Sequence, residues 1–120
     1  MQASARAARR ARIIERIMTE SEFHGAVDAV LARIESSLEN EEGIDVDLES
    51  GILTVTCGDG SKIIVNRQTP NREIWVAARS GGFHFTFRAG AWHDTRSGDE
   101  LFAALARVIA SQARVEVRWK

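Results

Sequence analysis

At 120 residues, 44% hydrophobic and with a formal net charge of −1, the chain has room for one domain around one core, which excludes a multidomain enzyme. One cysteine and three histidines exclude a disulfide framework or a thiolate-rich metal site within the chain, and no apolar run approaches the roughly 18 residues of a membrane span or the h-region of a secretory leader. A soluble cytoplasmic protein is expected.

The near-zero charge conceals three blocks. Residues 1–17 set Arg6, Arg9, Arg10, Arg12 and Arg16 against Glu15; residues 18–60 set Arg33 alone against a series of acids from Glu20 to Asp59; beyond Ser61 cations predominate. The acidic block argues against a nucleic acid partner. The basic block 1–17 reads as an extension to the domain: an upstream start, a helical arm, or an Arg-rich presequence that would direct the chain to a mitochondrial matrix. Met18 is the favoured natural start, because Thr19 and Glu22 form a capping box with Met18 and Phe23 as its hydrophobic staple. The first helix is predicted from about Glu20 to Asn40, with Phe23, Val27, Val30, Leu31, Ile34 and Leu38 on its apolar face. Ile44 to Glu49 alternates strictly and predicts a strand with one buried and one acidic face. Ile52–Cys57 and Ser61–Asn66 flank the hairpin signal Gly58-Asp59-Gly60. After the turn Thr69-Pro70-Asn71-Arg72 come a fourth strand, Glu73–Ala78, a fifth marked by alternating Phe83, Phe85 and Phe87, and a short sixth, Ala91–Asp94. Ser97 with Glu100 reads as a second capping box, opening a last helix that carries Leu101, Leu105, Val108 and Ile109 and fades near Gln112. This order predicts an α+β two-layer sandwich, with an antiparallel sheet of five or six strands covered on one face by the N- and C-terminal helices.

That architecture leaves the other sheet face open. Trp75 alternates with inward-facing Ile74 and Val76, so it is expected on the open face with Ile64, Asn66 and Gln68, bordered by Arg67 and Arg72. Trp and Arg are enriched at binding hot spots, which makes Asn66, Arg67, Gln68 and Trp75 candidate partner contacts. Packing of Trp75 against neighbouring side chains is the plainer alternative.

Asp28, Glu35 and Glu39 fall on one line of the helix, Glu41 and Glu42 occupy the following loop, and Asp45, Asp47 and Glu49 form the outward row of the first strand. Like charges at these spacings repel by a few tenths of a kcal/mol per pair, and a solvated surface normally mixes signs. The one-sign concentration points to a cationic ligand, and carboxylate oxygens suit Fe²⁺, Fe³⁺, Mn²⁺, Ca²⁺ or Mg²⁺, with modest affinity and selectivity in the absence of a convergent cage. Asp45-x-Asp47-x-Glu49 begins like a calcium loop, but Thr56 stands where such a loop needs its bidentate Glu. His24, His84 and His93 are on different elements, although His24, one turn before Asp28, could add a nitrogen donor. Cys57 is expected to be buried at a strand end and inert.

Ser21-Glu22-Phe23-His24, Gly51-Ile52-Leu53-Thr54-Val55, Asn66-Arg67-Gln68-Thr69-Pro70-Asn71, Ile74-Trp75-Val76-Ala77 and Ser80-Gly81-Gly82-Phe83-His84-Phe85 resemble the frataxin family, from Met18 to about Gln112. The resemblance makes 18–120 a frataxin-like domain. It implies weak, reversible binding of ferrous and ferric iron with no organic cofactor. It also implies docking to a cysteine desulfurase and its iron–sulfur scaffold partner, and a monomer when metal is absent. Glu39, Glu42 and Asp45 would serve both iron and the desulfurase. Ser36, Ser37 and Asn40 stand at or beside positions where relatives often carry acids, which implies a lower iron capacity. The leading reading is an adaptor that modulates the desulfurase and is not itself an enzyme. The alternative is a ferroxidase and iron store, but the Glu-x-x-His motifs of an enclosed di-iron site are absent from the sequence.

Overall fold

A computed structural model describes residues 18–120, so the reading of residues 1–17 as an extension lies outside the described residues. Helix α1 spans Glu20–Leu38, two residues shorter than expected. Its capping box forms as the sequence predicts: the Glu22 amide donates to Thr19 Oγ1 at 3.0 Å and the Thr19 amide to the Glu22 carboxylate at 3.2 Å. Glu20 and Glu22 also place negative charge where the helix dipole favours it. The predicted apolar face is buried throughout, from Phe23 to Leu38.

Six strands follow: β1 Ile44–Glu49, β2 Ile52–Cys57, β3 Lys62–Gln68, β4 Glu73–Ala78, β5 Gly81–Arg88 and β6 Ala91–Asp94. Each pairs antiparallel with the next in a meander of order β1-β2-β3-β4-β5-β6. Tight turns fix the register. Ser50 and Gly51 connect the paired Glu49 and Ile52 with φ of 54° and 76°, the doubly positive pair that a two-residue hairpin of matching twist demands. A Cβ on Gly51 would make only ordinary van der Waals contact with the Arg67 guanidinium, at 3.6 Å, so it is the positive φ of the turn that calls for glycine here.

One face of the sheet buries Leu53, Val55, Ile63, Val65, Ile74, Val76, Phe85 and Trp92 against the apolar faces of α1 and of the closing helix α2, Leu101–Ala113. Each fully buried side chain of this size contributes about 1.5–3 kcal/mol of transfer free energy. Phe23 meets Trp92 edge-on at 6.1 Å, tying α1 to β6. The α+β sandwich is therefore as expected, with the sheet at the upper strand number.

The start of α2 differs from the sequence reading. Glu100, expected at the third helical position, is the N-cap itself: its carboxylate accepts from the amides of Phe102 at 2.9 Å and Ala103 at 3.2 Å. Ser97 instead donates its hydroxyl to buried Asp94 at 2.8 Å and accepts from the Asp99 amide at 3.1 Å. The tight loop after β6 consumes the serine locally, and the next polar side chain able to reach free amides closes the helix.

Beyond α2, Arg114 turns the backbone through the left-handed region at φ 58°, and Val115, Val117 and Trp119 pack alternately against the core. The tail is pinned to both helices. Trp119 Nε1 donates to the Phe102 carbonyl at 2.9 Å, Arg33 Nε to the Lys120 carbonyl at 2.9 Å, and the Lys120 amide to Ser37 Oγ at 3.0 Å.

Candidate metal and docking surface

The acidic residues cluster where α1 runs out and β1 begins. Glu35 and Glu39 sit in and just after the last turn of α1, which contains no basic residue; Glu39 is the C-cap. The helix dipole places partial negative charge at this end, so carboxylates here are disfavoured and a cation is favoured. Glu42, Asp45, Asp47 and Glu49 are exposed, and Glu35 and Glu41 half-buried. Their carboxylates form no ion pair with Arg or Lys among the described residues. Nor does the fold gather three or more His, Cys, Asp or Glu side chains into a metal-sized cluster among those residues. The ridge is a strip of separate carboxylates, as its sequence spacing implies.

Asp28 is apart from that strip. It pairs with Arg67 Nη2, while Arg67 Nη1 contacts His24 Nδ1 at 2.8 Å and His24 Nε2 lies 3.6 Å from Glu20. Asp28 is therefore already paired, and the His24 nitrogen that faces Arg67 is occupied.

Arg67 corrects the sequence reading, which set it at the border of the open-face patch. It is opposite Ile74 and shares the inward parity of Ile63 and Val65, so its side chain turns to the helix side and is 20% exposed. Arg72 turns the same way: Nη1 donates to the Thr69 carbonyl and the guanidinium lies 5.8 Å from the Phe23 ring centroid. Neither arginine borders Trp75 as the sequence reading had it.

Trp75 does stand on the open face. It is half-buried, stacked on His84 at 4.3 Å with 9° between the rings, and its indole N–H donates to Glu73 at 2.7 Å. Asn66 is its direct partner on β3, and Gln68 is opposite Glu73. The packing alternative thus accounts for part of its surface and leaves the rest to solvent. The ladder also shows what the linear reading missed. Asp45, Asp47 and Glu49 are opposite Thr56, Thr54 and Ile52, Thr54 is opposite Ile64, and Ile64 opposite Ala77. The acidic row of β1 and the Trp75 patch therefore occupy one face, separated by three strand spacings of about 4.8 Å each. Parity carried through each tight turn would have revealed it.

Two carboxylates elsewhere have altered acidity. Burial pushes Asp94 up, but bonds from the Ser97 hydroxyl and the amides of Arg96 and Ser97 outweigh it and hold the group below its ordinary value. Bonds from the Ser61 hydroxyl and from Arg79, with the Ser61 amide, hold Asp59 well below the usual carboxylate range. Both stabilise loops away from the ridge. Cys57 is buried, as expected.

The frataxin-like domain family matches residues 16–115, and an iron–sulfur cluster assembly protein, CyaY, of Ralstonia nicotianae is 51% identical over 105 residues, covering 83% of this chain and 93% of that protein. The chain belongs to the frataxin family. A CyaY of the same description from Burkholderia mallei is 47% identical over 104 residues, covering 83% of this chain and 96% of its own. Among solved structures, frataxin from Psychromonas ingrahamii superposes with a TM-score of 0.80 at 33% identity, over 86% of this chain and 99% of that one. A trimeric frataxin from Saccharomyces cerevisiae, complexed with ferrous, gives 0.62 at 26% identity, over 82% and 89%. In this chain the two helices and the antiparallel sheet set the positions of the ridge and of the open face.

Proposed function

We propose that this frataxin is a non-catalytic adaptor of iron–sulfur cluster assembly that binds Fe²⁺ and Fe³⁺ weakly and reversibly on its acidic strip and docks to a cysteine desulfurase and its scaffold, adjusting sulfur delivery. The observation that carries this reading is the one-sign row of carboxylates from Glu35 to Glu49, placed at the negative end of α1 with no Arg or Lys partner among the described residues. Such a surface attracts a metal ion and a basic protein surface alike. Glu35, Glu39, Glu41, Glu42, Asp45, Asp47 and Glu49 supply oxygen donors without a cage, which supports low affinity and rapid release. Asp28 is the weakest candidate, because a metal must first displace Arg67. Glu39, Glu42 and Asp45 are assigned to desulfurase contact as well, and Asn66, Gln68 and Trp75 to the assembly complex. The names of the relatives support a role in cluster assembly, and the ferrous complex of the yeast protein supports iron as the cargo. The chain is assigned to the cytoplasm and to a monomeric state without metal.

The test follows amide shifts of isotope-labelled protein during separate titrations with Fe²⁺ and with the desulfurase. Both are expected to perturb the end of α1 and the whole of β1. Perturbation by neither ligand would overturn the reading. Rapid oxygen consumption on Fe²⁺ addition, without any change in desulfurase turnover, would favour a ferroxidase instead.

A further inference from the structure

The open face has the anatomy of a single interface, and the first residue of β2, between the acidic row and Trp75, has not yet been given a role. Ile52 is 45% exposed, the sole large hydrophobic residue exposed to that degree among the described residues. It is opposite Glu49 on β1 and, one step past the last β2–β3 pair Leu53–Val65, faces the strand position of Asn66, the partner of Trp75. Two cross-strand rows between the acidic row and Trp75 carry no charge, filled by Ile52, Thr54, Ile64 and Asn66, while Lys62, opposite Thr56, stands beyond them towards the Asp45 side of the face. An uncharged, partly apolar centre with charges at the rim is how protein interfaces are built.

We infer that Ile52 is an apolar anchor of the docking face, joining Trp75 to the acidic row so that one continuous protein surface covers both. That surface is apolar opposite Ile52 and Trp75 and cationic along the side that meets Asp45, Asp47 and Glu49. Charge complementarity with the β1 row sets its orientation, and contact at Ile52 closes the ground between the two halves and excludes water from them. The inference rests on the docking role proposed above and adds the residue that unites its two parts.

The experiment measures affinity of the full chain for the assembled desulfurase–scaffold complex, with melting curves confirming that each variant folds. Ile52→Asp is expected to weaken binding about 10-fold or more, which is the size of effect hot-spot truncations reach, while Ile52→Leu stays within about 2-fold. The Ile52 δ1 methyl resonance is expected to shift on complex formation. Trp75→Ala and Asp47→Asn serve as controls for the underlying reading. If both controls weaken binding and Ile52→Asp does not, the anchor is overturned and the docking role stands. If none of the three weakens it, both fall.

Discussion

Asp94 shows how one side chain can govern a loop. Its carboxylate, 7% exposed, accepts from Ser97 Oγ at 2.8 Å and holds the turn from which α2 departs. Because its folded pKa lies below the unfolded one, the unfolded state binds a proton first as pH falls. The stabilisation is complete above the ordinary carboxylate range and is lost as pH drops through the lower folded value. Asp94→Asn should therefore cost about 1–3 kcal/mol at neutral pH and flatten the acid limb of the stability curve, a difference that denaturant melts across pH would register. Trp75 sits in the opposite circumstance, half in solvent, and its truncation bears on binding more than folding. Trp75→Ala should weaken association with the assembly complex by about 2 kcal/mol while leaving Fe²⁺ affinity as it was, which calorimetry on both ligands tests. The position of Trp75 was legible because a strict alternation with Ile74 and Val76 leaves one direction for it. Arg67 was not read correctly, since parity alone does not announce that a charged residue on the inward side will find Asp28 and His24 near the helix margin.

Elements ending in local chemistry were the easiest to foresee. Thr19 and Glu22 cap α1 between themselves, so deleting residues 1–17 should leave the melting temperature within about 2 °C, whereas Thr19→Ala should lower stability by about 1 kcal/mol. Thermal melts of the two variants side by side decide between a self-capped helix and one that relies on its extension. The strand boundaries followed from turn residues, and most of the core from periodicity. The start of α2 did not, because a serine and a glutamate three apart fit two capping arrangements and the buried Asp94 selects between them. The tail was missed altogether. Val115, Val117 and Trp119 alternate as a strand does but pair with no strand among the described residues; their packing against the core and the tail's bonds to both helices account for the pattern. Trp119→Ala removes the indole bond to the Phe102 carbonyl and the edge-on ring contact at 5.2 Å. It should cost about 2–3 kcal/mol, somewhat below the range for a fully buried tryptophan, readable as an earlier denaturant midpoint with iron affinity intact.

For the molecule as a whole, the gathering of negative charge at one end sets ligand attraction against folding. Replacing Glu39, Glu42 and Asp45 together by Gln, Gln and Asn should raise the melting temperature at about 10 mM salt, where screening extends about 30 Å, and less at about 150 mM, where it extends about 8 Å. The same variant should lose affinity for iron and for the desulfurase, so stability and function move in opposite directions. Thermal melts at both salt concentrations, with binding measured alongside, test it; a variant less stable than wild type at low salt would overturn it. The ridge residues were readable from sequence as a set, because their sign needed no geometry. Their membership of the same face as Trp75 required the ladder. The sheet order also leaves β1 at an edge, with β2 on one side only. An edge strand invites pairing with another chain, and charged residues discourage it. Two copies meeting along β1 would set Asp45, Asp47 and Glu49 against their own kind. The row should therefore act as an insulator against polymerisation, which a cation bound there would thin. Neutralising all three residues should therefore produce concentration-dependent assembly in sedimentation experiments without metal, while the wild-type chain assembles only as the metal is raised.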